Sequence, residues 1–506
     1  MGRPATGALD GVDRTTPWDL TRVAGSADGS DSRLLIRPYR LTPLDPDTVS
    51  PGGHVAYIHS LLCSNVLRDR LGVNPQVLAL ALARMSESVG NSFLIVVLPL
   101  FIASDFVSGS TFGLTEVVIT GLVLSIFGFV NSPLQPFAGR LSDRTGRRRI
   151  FVLFGLVLIA AASFSYSLAS TYWQLVGLRV LQGIAGAFII PTTVALVNDL
   201  ATEGNRGGNM GTYNTFRLVG FGVGPVAAGG VIAAGPYSVS LPQAAGTLSM
   251  TGFEAAFYLA ASTATLAFVL VVTLIRDPDV DADASAQSDP GGIAVFDRTG
   301  DQLLDPVFAL GAVSFFMAVG IAVFATLGGI VNAELEQGPE MFGLQFAAFI
   351  LAQVLLQVPV GRATDFYGRK LFILAGTVLL VPTTLVQGLI PGATPISGLL
   401  SGSWVMFLAR FLQGVAGAMV FAPALALAGD IARDGESGST LSVLTMAFGL
   451  GVAVGPLLSG ILVAWGFVIP FAFAASLAAV SVLIVLTQVN EIITPRRSIP
   501  LVGSMT

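Results

Sequence analysis

Twelve long apolar runs, separated by Gly, Pro or clusters of charge, constrain this 506-residue chain more than any other feature. A helix needs about 20 mainly apolar residues to cross ~30 Å of bilayer hydrocarbon, and each run is of that order. They cover residues 77–103, 114–138, 148–170, 172–198, 208–234, 253–275, 306–331, 342–360, 370–391, 402–429, 438–464 and 467–489. Charged residues make up 11% of the chain, less than half of the roughly 25% a water-exposed surface requires, so most of this surface faces lipid. The expected fold class is an all-α membrane protein with twelve transmembrane helices.

The rarer residue types exclude several chemistries. The lone Cys63 rules out a disulfide framework, a Cys-based zinc site and an iron–sulfur cluster, and His54 and His59 leave little for a His-ligated metal. Neither a nucleophile–base pair nor a phosphate-cradling Gly-x-x-x-x-Gly-Lys segment occurs, so neither an enzyme nor an ATP-driven pump is expected. No cofactor, no metal and no nucleic-acid partner are expected.

Lys and Arg follow the even-numbered spans: Arg140, Arg144, Arg147, Arg148 and Arg149 after the second, Arg206 after the fourth, Arg362, Arg369 and Lys370 after the eighth, and Arg433 after the tenth. The opposite loops carry Asp105, Glu334, Glu336 and Glu340. Basic short loops are retained in the cytoplasm, so both termini are placed there, in a multi-pass protein of the cell membrane. Residues 1–76 form a cytoplasmic leader without the features of a signal peptide, expected to be disordered to about residue 50, with a possible amphipathic helix on the inner leaflet at 55–70. A linker, 276–305, carries eight aspartates against Arg276 and Arg298, and a tail spans 491–506. This acidity, with one Lys beside 25 Arg, suits a halophilic cytoplasm or an ordinary solvated linker.

The chain repeats itself. QPFAGRLSDRTGR at 135–147 aligns with QVPVGRATDFYGR at 357–369, an offset of 222 that pairs Gln135 with Gln357, Gly139 with Gly361, Asp143 with Asp365, Gly146 with Gly368 and Arg147 with Arg369. RVLQGIAGA, beginning at Arg179, aligns with RFLQGVAGA, beginning at Arg410, an offset of 231 that also carries Gly224-Pro225 onto Gly455-Pro456. Two like-oriented six-helix units, 77–275 and 306–490, imply a pseudo-twofold axis along the membrane normal and a central cavity between them.

With these residues in view, the chain resembles the major facilitator superfamily over roughly residues 77–490. The family's loop Gly-x-x-x-Asp-Arg-x-Gly-Arg-Arg stands here as Gly139, Asp143, Arg144, Gly146, Arg147 and Arg148, with a degenerate copy at Gly361, Asp365, Gly368 and Arg369 in which Phe366 replaces an Arg. The resemblance implies that this loop is a cytoplasmic gate contact; the alternative is that its arginines only fix topology. Asp143 is expected to cap the following helix and pair with neighbouring arginines. Gly211, Gly220, Gly224, Pro225 and Gly229 resemble the span-five signature of drug/proton antiporters, with Ala228 replacing one Gly, and Gly451, Gly455, Pro456 and Gly460 form a shorter copy. The competing explanation is ordinary small-residue packing.

Ionisable groups inside a span cost about 2.5–3.5 kcal/mol each, so each asks for a partner or a purpose. Arg179 and Arg410 recur in both halves, which suggests a structural duty; in the resembling antiporters the span-four arginine is also implicated in proton movement. Arg84, Glu87 and Arg217 occur in one half only, which favours a functional role, although Arg84 and Glu87 can also pair locally as i and i+3. A Glu87 facing the central cavity would couple its protonation to the side open to water. Asn91, Gln135, Tyr213, Asn214, Gln353 and Gln357 are polar candidates to line a pocket or to hold helices together. The expected function is efflux of a small lipophilic molecule, coupled to protons or alternatively to sodium, by a monomeric alternating-access transporter. The rival is an importer of a small organic anion with Arg217 as carboxylate ligand.

Overall fold

The computed structural model describes residues 75–200, 206–240, 247–277, 303–391, 401–431 and 437–491. The leader to residue 74 with its proposed amphipathic segment, most of the acidic linker, and the tail beyond residue 491 lie outside the described residues, as does the Asp365 side chain.

Twelve helices among the described residues are long and apolar enough to span a membrane. The first six are α1 (Pro75–Ile102), α2 (Glu116–Thr145), α3 (Arg148–Ser165), α4 (Tyr172–Asp199), α5 (Arg206–Ala234) and α6 (Gly252–Leu274). The second six are α7 (Pro306–Thr326), α8 (Pro339–Tyr367), α9 (Arg369–Leu389), α10 (Gly402–Ile431), α11 (Ser437–Leu462) and α12 (Val468–Gln488). Local chemistry sets several ends. Thr251 and Glu254 close a reciprocal cap at the start of α6, and Asp305 accepts from the Val307 and Phe308 amides ahead of α7, with Pro306 in the first turn where its missing N–H is harmless.

Three details depart from the apolar runs. Helix α2 continues past residue 138 to Thr145, because backbone hydrogen bonding carries on outside the lipid until Gly146 adopts φ 63°. The seventh run is split into α7 and a short helix, Gly328–Glu334. Between α5 and α6 the chain forms an antiparallel ribbon, Tyr237–Ser240 with Thr247–Met250.

In each half the packing is the same. Helix α1 lies on α5 and α6, α2 on α4, and α3 on α4 and α6; α7 lies on α11 and α12, α8 on α10, and α9 on α10 and α12. Glycines set these approaches at matched positions. Gly183 faces the Phe127 carbonyl and Gly414 the Phe349 carbonyl; Gly220 faces that of Met85 and Gly451 that of Phe315. The last pair fixes the register of α1 against α7 at 230, the separation of Met85 and Phe315, which the sequence left open.

The structure also corrects one alignment. Arg148, not Arg147, is the counterpart of Arg369, since these two reach the matched acids Asp199 and Asp430. The offset in α3 and α9 is therefore 221, one less than in the preceding helices. The cause is a loop one residue longer in the first copy, where α2 and α3 are separated by Gly146 and Arg147 but α8 and α9 by Gly368 alone.

The halves meet along α2–α11 and α5–α8. Away from the Arg-rich loops, one apolar core is shared by both, joining Phe93, Leu98, Ile119 and Phe257 to Phe324, Phe342, Met406 and Phe471. Toward the Arg-rich loops there are two cores, one around Leu80, Leu156, Ile189 and Val271 and another around Leu310, Ile373, Leu427 and Val485. At that end Gly361 and Gly211 have no atom where a side chain would reach, and Gly139 meets only Pro191 of its own half. Among the described residues the two bundles are joined at one end and separate at the other.

Candidate functional site

The charged residues found in one half alone come together. The Arg84 guanidinium and Glu87 carboxylate are 2.6 Å apart and buried. Ser88 reaches the same carboxylate at 3.5 Å. From α5, the Tyr213 hydroxyl meets that of Thr193 on α4 at 2.6 Å, and Arg217, one helical turn further along α5, lies near Arg84 and Glu87. Tyr213, Arg217, Gly220 and Gly224 recur at i, i+4, i+7 and i+11, one stripe of α5, and its two glycines pack on the α1 backbone at Met85 and Val89. Arg217 is half-buried, and among the described residues it forms no hydrogen bond and no ion pair.

Glu87 does not line the gap between the halves. With Arg84 it borders a small cavity inside the first bundle, walled by Leu80, Ala83, Val152, Leu156, Ile189, Thr193 and Val271. A helix apolar on all sides carries no sequence signal of its facing, which is why the distinction emerges only from the packing. The registers established by the glycines show what the second half places at the equivalent points. Arg84 maps to Ser314, Glu87 to Met317, Thr193 to Ala424, Tyr213 to Leu444 and Arg217 to Phe448. Four of the five polar positions have become apolar.

Arg179 and Arg410 are architectural twins. Arg179 donates to Gln182 Oε1 at 3.1 Å, and Gln182 Nε2 donates to Ser163 at 3.3 Å. Arg410 donates to Gln413 Oε1 at 2.5 Å, and Gln413 Nε2 donates to Thr384 at 3.1 Å and to the Gly320 carbonyl at 3.3 Å. No acid pairs with either arginine among the described residues, and aromatic faces stand in. Phe127 lies 5.5 Å from the Arg179 guanidinium, while Phe324, Phe346 and Phe349 surround that of Arg410 at 4.5, 5.5 and 5.1 Å.

The Arg-rich loop is held within its own half. Arg148 pairs with Asp143 at 2.7 Å and with Asp199, and Arg369 pairs with Asp430 in the second copy. Asp143 does not cap α3. The Arg149 amide, in the first turn of α3, is taken by Asp277 at 2.7 Å, and the Lys370 amide in α9 by Glu491 at 2.8 Å. Acids from just beyond α6 and α12 thus reach back to these N-termini, where negative charge is favoured. Sequence reasoning overlooked Asp199 and Asp430, although their separation of 231 matches that of the Arg179 and Arg410 blocks. Arg144 and Arg147 are exposed.

The remaining candidates scatter. Asn91 and Asn214 are half-buried and away from the ion pair's hydrogen bonds. Gln135 donates to Asn131, a contact along α2 itself. Gln353, the repeat partner of Asn131, lies over Gly417 as Asn131 lies over Gly186, and Gln357 is half-buried on α8. In the α5 signature, Gly220 and Gly224 touch α1, Gly229 touches Pro339 and Glu340 of the other half, and Gly211 has open space around it. In the second copy Gly455 packs on α7 at Val319 and Ala322, and the Pro456 carbonyl accepts from Thr326 at 3.0 Å.

Two like-oriented six-helix bundles, joined at one end and parted at the other, with an ion pair buried inside the first of them, define a membrane carrier rather than an enzyme. The chain belongs to the Major Facilitator Superfamily, which matches residues 80–334 and 308–499. Quinolone resistance protein NorA of Staphylococcus aureus (strain MRSA252) is 24% identical over 427 residues, 82% of this chain and 97% of that protein. Multidrug resistance protein 2 of Bacillus subtilis (strain 168) is 25% identical over 393 residues, covering 76% and 88%. Among solved structures, a POT family transporter in complex with 5-aminolevulinic acid superposes with TM-score 0.61 at 13% identity, covering 81% of this chain and 95% of that one. A bacterial homolog of the human lysosomal transporter Spinster, inward-facing and occupied, gives 0.59 at 13%, covering 81% and 94%.

Proposed function

We propose that this transporter expels small lipophilic compounds from the cell, driven by inward proton movement through Glu87. The observation that carries this is the confinement of Arg84, Glu87 and Arg217 to one half, with Met317 and Phe448 at the equivalents of Glu87 and Arg217. Architecture repeats across a duplication, whereas a charged group kept in one copy against an insertion cost serves something else. The multidrug and quinolone resistance relatives support the class of cargo.

With the Arg-rich loops in the cytoplasm, as the distribution of basic residues favours, the parted end opens inward. The groups facing Glu87 are Arg84 on its own helix and Arg217 and Tyr213 on α5; the α3, α4 and α6 residues around it are uncharged. Protonation of Glu87 releases Arg84 from its partner and leaves the α1–α5 seam more positive. That change favours repacking of α1 on α5, and hence exchange between the two open states. The protein acts as a monomer in this scheme.

The test uses proteoliposomes with an imposed pH gradient and the cationic dye ethidium. Wild type accumulates the dye uphill, and Glu87→Gln retains downhill exchange while losing accumulation. Undiminished uphill transport by Glu87→Gln overturns the role of Glu87, and accumulation driven by a sodium gradient alone moves the coupling to sodium.

A further inference from the structure

Across the halves, α5 and α8 run antiparallel and meet in successive layers. Gly229 faces the Pro339 carbonyl, Gly343 faces that of Pro225, and Gly222 faces the Ile350 side chain. Positions i and i+7 return to nearly the same side of a helix, so the next layer toward the Arg-rich loops holds Thr215 on α5 and Gln357 on α8. One turn beyond them stand Gly211 and Gly361, with open space around both. Thr215 and Gln357 are therefore the first polar layer at which these two helices part.

Thr215 is exposed and Gln357 half-buried. The Thr215 hydroxyl donates back to the Gly211 carbonyl at 2.9 Å, which leaves its oxygen able to accept. The Gln357 amide forms no hydrogen bond among the described residues. A polar group at membrane depth costs free energy until its donors and acceptors are met. Arg217 does not serve this layer, because it belongs to the stripe of α5 that packs on α1.

The repeat-related seam differs. There Gly121 faces the Pro456 carbonyl and Gly128 meets Ala453, and the same register brings Gln135 of α2 opposite Met446 of α11. Gln135 is already bonded to Asn131 along its own helix, and Met446 has no donor. Only the α5–α8 opening places an unmet amide beside a hydroxyl.

Resting on the efflux reading above, we propose that Gln357 and Thr215 bind the polar group of the cargo, and that this group is neutral and carries both a carbonyl and an N–H, as a primary amide does. Gln357 matches such a group with its own N–H and carbonyl, and the Thr215 oxygen accepts a further N–H. A fixed charge finds no opposite charge in this layer. When the Arg-rich end closes, the register of the seam brings Gln357 onto Thr215, and their mutual hydrogen bond replaces the one to cargo. Glu87 acts on the cargo through the repacking of α1 on α5, the helix that carries Thr215.

Isothermal titration of the full chain in nanodiscs, with protein-free nanodiscs subtracted, tests this with three probes. Naphthalene-2-carboxamide offers the neutral amide, 2-isopropenylnaphthalene has nearly the same outline without hydrogen-bonding groups, and naphthalene-2-carboxylate is charged. Wild type is expected to bind the carboxamide about fivefold or more tighter than either of the others, the range of one or two neutral hydrogen bonds. Gln357→Leu is expected to erase that preference while keeping the affinity for 2-isopropenylnaphthalene, Thr215→Val to remove part of it, and Gln135→Leu to leave it unchanged. Bound carboxamide is also expected to slow maleimide labelling of Gly361→Cys in a Cys63→Ser background. Equal binding of the carboxamide and 2-isopropenylnaphthalene by wild type overturns the proposal, and that comparison decides even if a variant fails to fold. So does a preference that survives Gln357→Leu, or one lost equally in Gln135→Leu. Uphill ethidium transport without carboxamide preference removes the amide site and leaves the efflux reading intact; preference without pH-driven accumulation does the reverse.

Discussion

The Glu87 carboxylate meets the Arg84 guanidinium at 2.6 Å, one helical turn along α1, and neither is appreciably exposed to solvent. Breaking a buried pair strands a charge, which costs about 3–5 kcal/mol, whereas replacing both partners with apolar groups of similar volume is often close to neutral. Glu87→Met is therefore expected to lower the melting temperature in detergent by more than the Arg84→Met, Glu87→Met double variant. Scanning fluorimetry on the two variants checks it, and a double variant less stable than the single refutes the pairing energy.

Arg410 is fully buried and touches three phenylalanine faces. A lysine ammonium offers no planar surface to stack there and does not reproduce the position of Nη1, which donates to both Gln413 and the Ile321 carbonyl. Arg410→Lys is expected to destabilise by about 2 kcal/mol or more, from lost stacking and an unsatisfied Gln413 oxygen. A melting temperature equal to wild type contradicts this.

The glycines of α5 separate three effects that their shared signature conceals. A side chain at Gly220 overlaps the Met85 carbonyl inside one half, one at Gly229 overlaps the Pro339 carbonyl across the halves, and one at Gly211 meets nothing within 4 Å. Gly211→Ala is expected to melt like wild type and Gly220→Ala to lose stability. Gly229→Ala is expected to shift the conformational balance, seen as faster maleimide labelling of a Val118→Cys reporter in a Cys63→Ser background. Equal labelling rates with and without Gly229→Ala would sink that assignment.

In the Arg-rich loop, Arg148 and Asp199 are 11% and 16% exposed, while Asp143 is 43% exposed. Screening discounts the Asp143 contact to about 0–1 kcal/mol, and the more buried Asp199 contact is worth about 1.5–3 kcal/mol. Asp199→Asn is expected to destabilise more than Asp143→Asn, and Arg144→Gln less than either, since Arg144 is exposed. Denaturation at two ionic strengths sorts them, with the Asp143 contribution vanishing in salt.

The twelve spans were legible because lipid imposes a length and an apolar composition that lie openly in the sequence, and the duplication was legible because glycine and arginine recur at fixed offsets. Facing was not. Nothing in the order of residues along α1 distinguishes a Glu87 directed into its own bundle from one directed into the gap. The partner acids were hidden for a related reason: Asp199 and Asp430 stand at helix ends, where a carboxylate looks like ordinary solvated punctuation until the distant Arg148 and Arg369 are brought to it. The phenylalanines around Arg410 come from α7 and α8, and aromatic residues are too common in membrane helices for their convergence to be foreseen.

Where the two halves touch, much of the contact is bare main chain. Gly121 and Gly460 join α2 to α11, and Gly229 and Gly343 join α5 to α8, each against backbone atoms of the opposite half. A joint of this kind has few interlocked rotamers to disengage, so it can part and reseat like two smooth plates, with little penalty beyond rewetting the surfaces it exposes.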